Sequence, residues 1–190
     1  MATGNDRIFH GVDGDILREI YSPEQIQERV RTIANDLNAR FYGDRVVAVC
    51  VLRGAFVFFS DLVRLLQMPD LELDFVGLSS YGSKQSSKGT VDVTRWLSLD
   101  VTGAHVLVVE DIVDTGRSMR TLLDKLGTLS LKSCTLCTLV DKSERRECAV
   151  PIDYSCFQMA SGFLVGYGLD FAQKYRHLPG IYEVERPTGK

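Results

Sequence analysis

Two nearly unbroken apolar runs constrain the fold of this chain more than any other feature. They are RVVAVCVL at residues 45–52 and HVLVV at residues 105–109. A strand with one face in water alternates apolar and polar residues, whereas a strand covered on both faces is apolar throughout. Each run is followed by a segment whose apolar residues have helical spacing. The runs therefore predict parallel strands buried in a sheet with helices on both faces.

Helix and strand patterns alternate along most of the chain. Ser22-Pro23-Glu24-Gln25 predicts a helix start, with Ser22 as the N-cap and Gln25 closing a capping box. Two further helices are predicted, one from Phe56 that stops before Pro69 and one from Met119 that Gly127 ends. Strands are predicted at 71–78, 91–99, 134–140 and 162–169. The alternation predicts an α/β fold with a mostly parallel twisted sheet flanked by helices.

One segment departs from this pattern. Residues 79–90, SSYGSKQSSKGT, consist of small and polar residues apart from Tyr81. Such a composition predicts a flexible loop between the strands on either side of it.

Length, composition and net charge indicate which broad class of protein the chain belongs to. The 190 residues carry a net charge of −3, and 45% of them are hydrophobic. These values are ordinary for one globular domain. The weakly acidic balance gives no sign of nucleic-acid binding, and no apolar run has the length of a membrane span. Because the first residues also lack the apolar segment of a signal peptide, we expect a cytoplasmic protein that binds neither nucleic acid nor membrane.

The five cysteines predict reduced thiols, because their number is odd and no export signal is present. Cys134 and Cys137 form a C-x-x-C pair inside a predicted strand. Residues three apart in a strand point to opposite faces, and no second pair completes a zinc site. We therefore expect these cysteines to serve packing rather than metal or redox chemistry.

The segment HVLVVEDIVDTGRSM, residues 105–119, has three acidic residues just after an apolar run. The strand is expected to end at Val109, before Glu110 and Asp111. Neighbouring carboxylates accept hydrogen bonds from the two hydroxyls of a ribose, and their charge holds Mg²⁺ directly or through water. Ligands of parallel α/β sheets bind beyond the carboxyl ends of the strands, which is where this segment lies.

The turn that follows has the features of an anion site. It contains Asp114, Thr115, Gly116, Arg117 and Ser118 and leads into a helix, whose free N–H groups and dipole favour a phosphate. The spacing does not match a Walker loop. The segment as a whole therefore predicts a ribose 5-phosphate site. The alternative is a solvated strand end followed by an ordinary helix N-cap.

The same segment resembles the 5-phosphoribosyl-1-pyrophosphate (PRPP) motif of type I phosphoribosyltransferases. Further motifs resemble one branch of that family, the 6-oxopurine (hypoxanthine-guanine) phosphoribosyltransferases, in the family's order: VLRGA at 51–55, SSYG at 79–82, LVDK at 139–142 and FLVGYGLDF…YR at 163–176. The resemblance implies a purine salvage enzyme that converts PRPP and hypoxanthine or guanine into IMP or GMP and pyrophosphate, with Mg²⁺ as cofactor. It also implies a homodimer or homotetramer. Within one domain, 1–190, it implies a core at about 22–150 and a small hood formed by the terminal segments, about 1–21 and 151–190.

The resemblance also assigns roles around PRPP. Glu110 and Asp111 would hold the ribose hydroxyls and, with Asp170, the Mg²⁺. Asp114 would be the acid/base group facing N7 of the purine, and residues 114–118 would hold the 5-phosphate. The remaining implied contacts are those with pyrophosphate, from Leu52, Arg53, Gly54 and Arg176. The family's pyrophosphate loop, which Leu52-Arg53-Gly54 resembles, contains a non-proline cis peptide. Many family members have Lys where this chain has Arg53.

For the base, the resemblance implies four contacts. Phe163 would stack on the purine, and Lys142 would contact its 6-oxo group. The carbonyl of Leu164 would meet the 2-amino group of guanine, with Asp170 nearby. Ser80 and Tyr81 would belong to a mobile loop that closes over the reacting centre.

Two alternatives stay open from the sequence. One is a phosphoribosyltransferase that also uses xanthine or another base, although Lys142 disfavours adenine. The other is a regulator on the same fold that binds RNA and senses nucleotides, because fold alone does not define function. The absence of a basic stripe and the presence of Lys142 and Phe163 favour the enzyme.

Overall fold

The computed structural model describes residues 8–11, 14–80 and 91–185. The elements in this part of the chain are β1 (Ile8–His10), β2 (Ile16–Tyr21), α1 (Pro23–Phe41), β3 (Val46–Leu52), α2 (Phe56–Val63), β4 (Leu71–Ser80), β5 (Val91–Arg95), β6 (His105–Val113), α3 (Arg117–Leu126), β7 (Ser133–Lys142), β8 (Tyr154–Met159), β9 (Leu164–Val165) and β10 (Ile181–Glu185). They form a six-stranded sheet in the order β5-β4-β3-β6-β7-β8 and a four-stranded sheet in the order β1-β2-β10-β9.

The large sheet is parallel except at one edge. β3 pairs in parallel with both β4 and β6, β7 pairs in parallel with β6 and β8, and β5 is antiparallel to β4. Alternate residues of β3 enter two different cores. Ala48 and Cys50 pack with α1 and α2, whereas Val47 and Val49 pack with α3 on the other face. Coverage of both faces explains the unbroken apolar runs and confirms the predicted α/β architecture.

Helix α1 begins as its sequence predicts. The Ser22 hydroxyl accepts a hydrogen bond from the Gln25 N–H, and the Gln25 side chain accepts one from the Ser22 N–H. This reciprocal pair satisfies two of the N–H groups that a helix start leaves free. The apolar face that follows is buried, at Ile26, Val30, Ile33 and Leu37.

The four-stranded sheet joins the two ends of the described chain. β10 pairs antiparallel with β2 and β9, and β1 pairs with β2. The hood expected at about 1–21 and 151–190 stays a prediction. β8 pairs with β7 in the large sheet, so the C-terminal strands of the small sheet begin at Leu164.

Three strand predictions differ in length from the structure by four residues or more. β6 continues past Val109 to Val113, so Glu110 and Asp111 lie within the strand. β5 ends at Arg95, beyond which the Asp74 carboxylate accepts hydrogen bonds from the Ser98 and Leu99 N–H groups. The strand expected at 162–169 is reduced to β9, since the backbone takes positive φ at each of the three residues after it, 166–168.

The cysteine interpretation agrees with the side-chain positions. Cys134 is exposed and Cys137 is buried, as expected for residues three apart in a strand, and both are free thiols. Separately, none of the helices in the described ranges is long and apolar enough to cross a membrane.

Candidate active site

The strand order reverses direction between β3 and β6. From β3 the chain continues to β4 and β5 on one side, and then crosses to β6 on the other. The loops after β3 and β6 therefore diverge at the carboxyl edge of the sheet, where ligands of such sheets bind. These are the Arg53-Gly54 loop and the Asp114–Ser118 turn.

A cavity of about 730 Å³ opens at this point. Its lining includes Glu110 and Asp111 from β6 and the loop residues Leu52, Arg53 and Gly54. It also includes Asp170, Arg176 and Ser118. The three carboxylates expected near the ribose and the metal therefore border one cavity, together with the expected pyrophosphate loop.

Glu110 and Asp111 form a buried carboxylate pair. Glu110 is 9% exposed, and its Oε2 is buried without a hydrogen-bond partner in the structure. Burial raises the pKa of Glu110 well above its ordinary value, and the neighbouring Asp111 charge raises it further. Burial also raises the pKa of Asp111, although its hydrogen bonds with Glu110 and the Ile112 N–H act in the opposite direction and lower that pKa. The pair therefore retains protons more strongly than free carboxyl groups do.

The Arg53-Gly54 loop packs tightly against the carboxylates and against the chain that follows β9. The Leu52–Arg53 peptide is cis. A Cβ on Gly54 would lie 1.6 Å from Oδ2 of Asp111, and a Cβ on Gly168 would lie 2.1 Å from the Gly54 carbonyl oxygen. The backbone at Gly54 is thus held between Asp111 and Gly168, with no room for a side chain.

The turn after β6 borders a second cavity of about 100 Å³. Gly116 is the N-cap of α3 with φ of 82°, and a Cβ there would lie 2.6 Å from the Cys148 carbonyl oxygen. Only glycine combines this backbone conformation with such a close approach. Because the N-cap has no side chain, the first turn of α3 receives no N-cap hydrogen bond. The N–H groups of that turn point toward the N-terminal end of the helix, which borders the cavity.

Asp114 lies between this cavity and the next one. It borders both the cavity at the turn and a third cavity of about 190 Å³. Its Oδ1 is buried without a hydrogen-bond partner, and its Oδ2 lies 3.5 Å from an Nη1 atom of Arg145. A carboxylate with one free oxygen at the junction of two cavities is available to a ligand in either.

The third cavity combines an aromatic ring with a buried cation. It is lined by Lys142, Phe163, Leu164 and Asp170, among others. Lys142, the last residue of β7, is 7% exposed, whereas Phe163 is 49% exposed and meets Phe171 edge to face at 5.3 Å. The exposed ring and the buried Lys142 side chain border the same space, to which the family resemblance assigns the base.

Asp170 and Arg176 are paired with each other. An Arg176 Nη2 lies 2.7 Å from Asp170 Oδ1, and Arg176 Nη1 donates to the Gly168 carbonyl at 2.7 Å. The Gln173 N–H donates to the other Asp170 oxygen. The sequence predicts separate roles for the two residues but does not predict that they are ion-paired.

Of the two expected loop residues, Ser80 ends β4 and Tyr81 lies outside the described residues. Ser79, just before them, borders the large cavity.

Comparisons with known proteins agree with this geometry. A family model of the phosphoribosyl transferase domain matches residues 17–172. The hypoxanthine phosphoribosyltransferase of Salmonella typhimurium is 41% identical over 169 residues, which are 87% of this chain and 94% of that protein. The chain belongs to the phosphoribosyltransferase family.

Solved structures support the same conclusion for the fold. A hypoxanthine-guanine phosphoribosyltransferase from Bacillus anthracis is 40% identical with a TM-score of 0.82, over 88% of this chain and 98% of that one. A hypoxanthine-guanine-xanthine phosphoribosyltransferase is 37% identical with a TM-score of 0.80, over 89% and 97% of the two chains. The family, the fold class and the enzyme class predicted from the sequence are confirmed.

Sequence reasoning missed two residues at this phosphoribosyltransferase site. Arg145 lines the third cavity beside Asp114. Arg146 turns the other way and donates hydrogen bonds to the backbone beneath the site. Two adjacent arginines in a loop have no periodicity that indicates contacts. The only available signal was their position three and four residues after Lys142.

Proposed function

We propose that this phosphoribosyltransferase transfers the 5-phosphoribosyl group of PRPP to hypoxanthine or guanine, yielding IMP or GMP and pyrophosphate. One observation carries the proposal: three cavities meet at the acidic residues of β6 and the turn after it. Glu110 borders the first and second cavities, Asp111 the first and third, and Asp114 the second and third. A ribose at this junction would direct its 5-phosphate, its pyrophosphate and the incoming base into separate spaces.

The 5-phosphate is assigned to the cavity at the turn. The N–H groups at the start of α3 and the hydroxyls of Thr115 and Ser118 are suitable donors for an anion, although the Arg117 N–H donates weakly to the Thr115 hydroxyl at 3.4 Å in the structure. Gly116 allows the phosphate to approach the backbone, and Arg117 adds a positive charge although it is ion-paired with Glu147. The ribose hydroxyls are assigned to Glu110 and Asp111, which accept hydrogen bonds when they are ionised.

The base is assigned to the cavity of Lys142 and Phe163. The half-exposed Phe163 ring offers a stacking surface, and the Lys142 ammonium group offers a donor for a 6-oxo group. A 6-amino group would present hydrogens to that donor and leave it unpaired. The Leu164 carbonyl is assigned to the 2-amino group of guanine, and Asp114 to proton transfer at N7 of the purine.

The pyrophosphate is assigned to the Leu52-Arg53-Gly54 loop and to Arg176. Arg176 is bound to Asp170 in the structure, so the contact with pyrophosphate requires this pair to rearrange or to share the ligand. The transition state of such a transfer carries positive charge on the ribose ring, and the ionised β6 carboxylates stabilise that charge.

The donor set fits Mg²⁺ only in part. Glu110, Asp111 and Asp170 offer the oxygen ligands that Mg²⁺ prefers, yet within the described ranges no three acidic, histidine or cysteine side chains converge into a metal site. Mg²⁺ commonly takes one or two carboxylates and completes its coordination with phosphates and water. We therefore assign these residues to a magnesium ion that enters with PRPP. When bound, it would neutralise charge on the leaving pyrophosphate.

Several expectations remain proposals. We propose that Ser80 and Tyr81 belong to a loop that closes over the site, that the chain forms a single domain, and that it assembles as a homodimer or homotetramer in the cytoplasm. We also propose that nucleic acid and membranes are not partners. Use of xanthine is a second candidate activity, because the hypoxanthine-guanine-xanthine relative is 37% identical to this chain.

The test is an assay with PRPP, Mg²⁺ and each of hypoxanthine, guanine, xanthine and adenine. Both hypoxanthine and guanine should be converted, and kcat/KM for adenine should be lower by roughly 10- to 100-fold or more, since a desolvated donor would lose its partner. Lys142→Met should raise KM for the oxopurines more than KM for PRPP. Lys132→Met, just before β7 at the opposite end of the strand, is the matched control. Equal use of adenine, or unchanged KM values in Lys142→Met, would contradict the base assignment, and no transfer to any purine would contradict the function.

A further inference from the structure

The pairing between β6 and β7 ends at the active site. Its last pair in register is Val113 with Asp141. The next residues are Asp114, just after β6, and Lys142, the last residue of β7. These two residues are assigned above to the proton at N7 and to the 6-oxo group. Lys142 is still paired with Met159 of β8 on its other side. The relative position of the two active-site residues therefore needs a connection other than the β6–β7 pairing.

Arg146 supplies that connection. Its Nε donates to the Asp114 carbonyl at 2.9 Å, and its Nη2 donates to the Val113 carbonyl at 2.8 Å and to the Lys142 carbonyl at 3.1 Å. The same Nη2 is 2.5 Å from Oδ1 of Asp141. The side chain is 21% exposed and does not line any of the three cavities.

We propose that Arg146 is a positioning residue that sets the distance and angle between Asp114 and Lys142, in place of the next pair of the sheet. This inference rests on the proposed function and deepens it. A guanidinium group is planar and donates in fixed directions, so it can hold acceptors on two strand ends at once. A lysine ammonium group is a single point of charge on a flexible stem and lacks this geometry.

The turn that carries the 5-phosphate site has a separate support. The Thr115 carbonyl accepts hydrogen bonds from the N–H groups of Glu147 and Cys148, and the rest of the turn leads directly into α3. These backbone contacts do not use the Arg146 guanidinium group. Loss of the Arg146 side chain should therefore impair base binding and proton transfer more than binding of the 5-phosphate.

The experiment compares Arg146→Lys and Arg146→Ala with Arg120→Lys and Arg120→Ala. Arg120 is the matched control, because it donates to the Ala149 carbonyl of the same loop but pairs with Asp124 on the outer side of α3. Steady-state kinetics with guanine and PRPP give kcat and both KM values, and thermal unfolding confirms that each variant is folded at the assay temperature. Guanidinium ion at millimolar concentration is then added to both alanine variants, with methylammonium as the comparison.

We expect both Arg146 variants to lose kcat by about 10- to 100-fold, the range that misplacement of a reacting group by about 1 Å can cause. KM for guanine should rise, with a smaller change in KM for PRPP. Guanidinium, and not methylammonium, should restore part of kcat in Arg146→Ala alone. A folded Arg146→Ala enzyme with wild-type kcat and KM would overturn the positioning role, as would a loss of kcat that guanidinium leaves unchanged. A wild-type enzyme that transfers to no purine would instead overturn the proposed function on which this role depends.

Discussion

Glu110 illustrates how a residue that is unfavourable for folding can serve binding. Its carboxyl group is buried in β6, with one oxygen lacking a partner and Asp111 beside it. A buried carboxyl group stays neutral more easily than ionised, whereas ribose hydroxyls and a cation interact best with the ionised form. Ligand binding should therefore release a proton from this pair.

The pH dependence of stability follows from the same shift. Because the pKa of Glu110 is raised in the folded protein, its contribution to the free energy of unfolding falls as pH rises above 4.5, the ordinary value, towards the folded pKa. Glu110→Gln removes this titration, so its melting temperature should fall less between pH 5 and pH 8 than that of the wild type. PRPP-Mg²⁺ affinity should rise with pH in the wild type and be lower and flatter in the variant.

Melting curves and calorimetric titrations across this pH range measure both effects. Glu28→Gln, at an exposed position of α1, is the control and should behave as the wild type. Parallel pH profiles for wild type and Glu110→Gln would show that Glu110 does not titrate with folding or binding.

Asp114 is the second residue whose chemistry is testable directly. An asparagine has nearly the same shape but cannot exchange a proton at neutral pH, so Asp114→Asn should lower kcat by about 10²- to 10⁴-fold. The dissociation constant for PRPP should change much less, because the 5-phosphate is assigned to N–H groups, hydroxyls and the Arg117 charge of the turn rather than to the Asp114 carboxylate. Rapid-quench or steady-state assays measure kcat, with Asp124→Asn on the exposed side of α3 as control. Near-normal kcat in Asp114→Asn would leave Asp114 as a turn residue only.

At the scale of elements, the segment after β9 packs against the Leu52-Arg53-Gly54 loop, to which pyrophosphate is assigned, called the pyrophosphate loop below. The Tyr167 hydroxyl donates to Asp61 of α2 at 2.7 Å, and Gly168 packs against the Gly54 carbonyl. Four non-glycine residues in this segment have positive φ: Tyr167, Ala172, Gln173 and Tyr175. Such conformations persist only where surrounding contacts stabilise them, and they concentrate at functional sites. The irregular backbone thus places Asp170 and Arg176 at the large cavity.

Gly168→Ala tests this arrangement. Alanine at φ of 101° costs about 1–2 kcal/mol in backbone strain, and its Cβ would also collide with the Gly54 carbonyl. The free energy of unfolding, measured with urea, should therefore fall further than in Gly43→Ala. Gly43 is the matched control because it has a φ of 81° with nothing within 4 Å of an added Cβ. KM for PRPP should rise by about tenfold or more in Gly168→Ala and stay constant in Gly43→Ala. Equal effects of the two substitutions would remove Gly168 from the support of the pyrophosphate loop.

At the scale of the whole molecule, the small sheet is tied to the segment that borders the active site. The Tyr175 hydroxyl donates to Asp15 at 2.9 Å, and both residues are buried. Asp15 precedes β2, while Tyr175 adjoins Arg176 at the large cavity. This buried bond therefore connects the two ends of the chain beside the candidate pyrophosphate site.

Removal of the Tyr175–Asp15 hydrogen bond should lower the stability of the protein. Tyr175→Phe leaves the Asp15 carboxylate buried without this donor, so the free energy of unfolding should fall by about 1–3 kcal/mol. Tyr42→Phe is the control, since Tyr42 is 80% exposed and its loss should change stability by less than about 0.5 kcal/mol. Urea unfolding followed by circular dichroism measures both. A Tyr175→Phe variant as stable as Tyr42→Phe would mean that the bond contributes no net stability.

Much of the fold and part of the site could be predicted from the sequence, because they depend on local patterns. The apolar runs of β3 and β6 indicated strands covered on both faces, and Ser22 with Gln25 indicated the start of α1. The order of residues in the turn at 114–118 predicted a phosphate site, with an ordinary helix N-cap as the alternative. Resemblance of the 105–119 segment then indicated the family, and the other motifs indicated its 6-oxopurine branch.

The remaining features depend on contacts between residues distant in the chain, which no local pattern encodes. The pairing of Asp170 with Arg176, the packing of Gly168 on Gly54 and the four hydrogen bonds of Arg146 are all of this kind. The length of β6 was also underestimated, because the polar residues Glu110 and Asp111 stay in the strand, where Glu110 pairs with Thr138 and Ile112 with Val140 of β7. Local sequence thus determined most of the elements and the glycine turn that begins α3. Tertiary packing alone decided which charges are buried, which are paired and where the cavities meet.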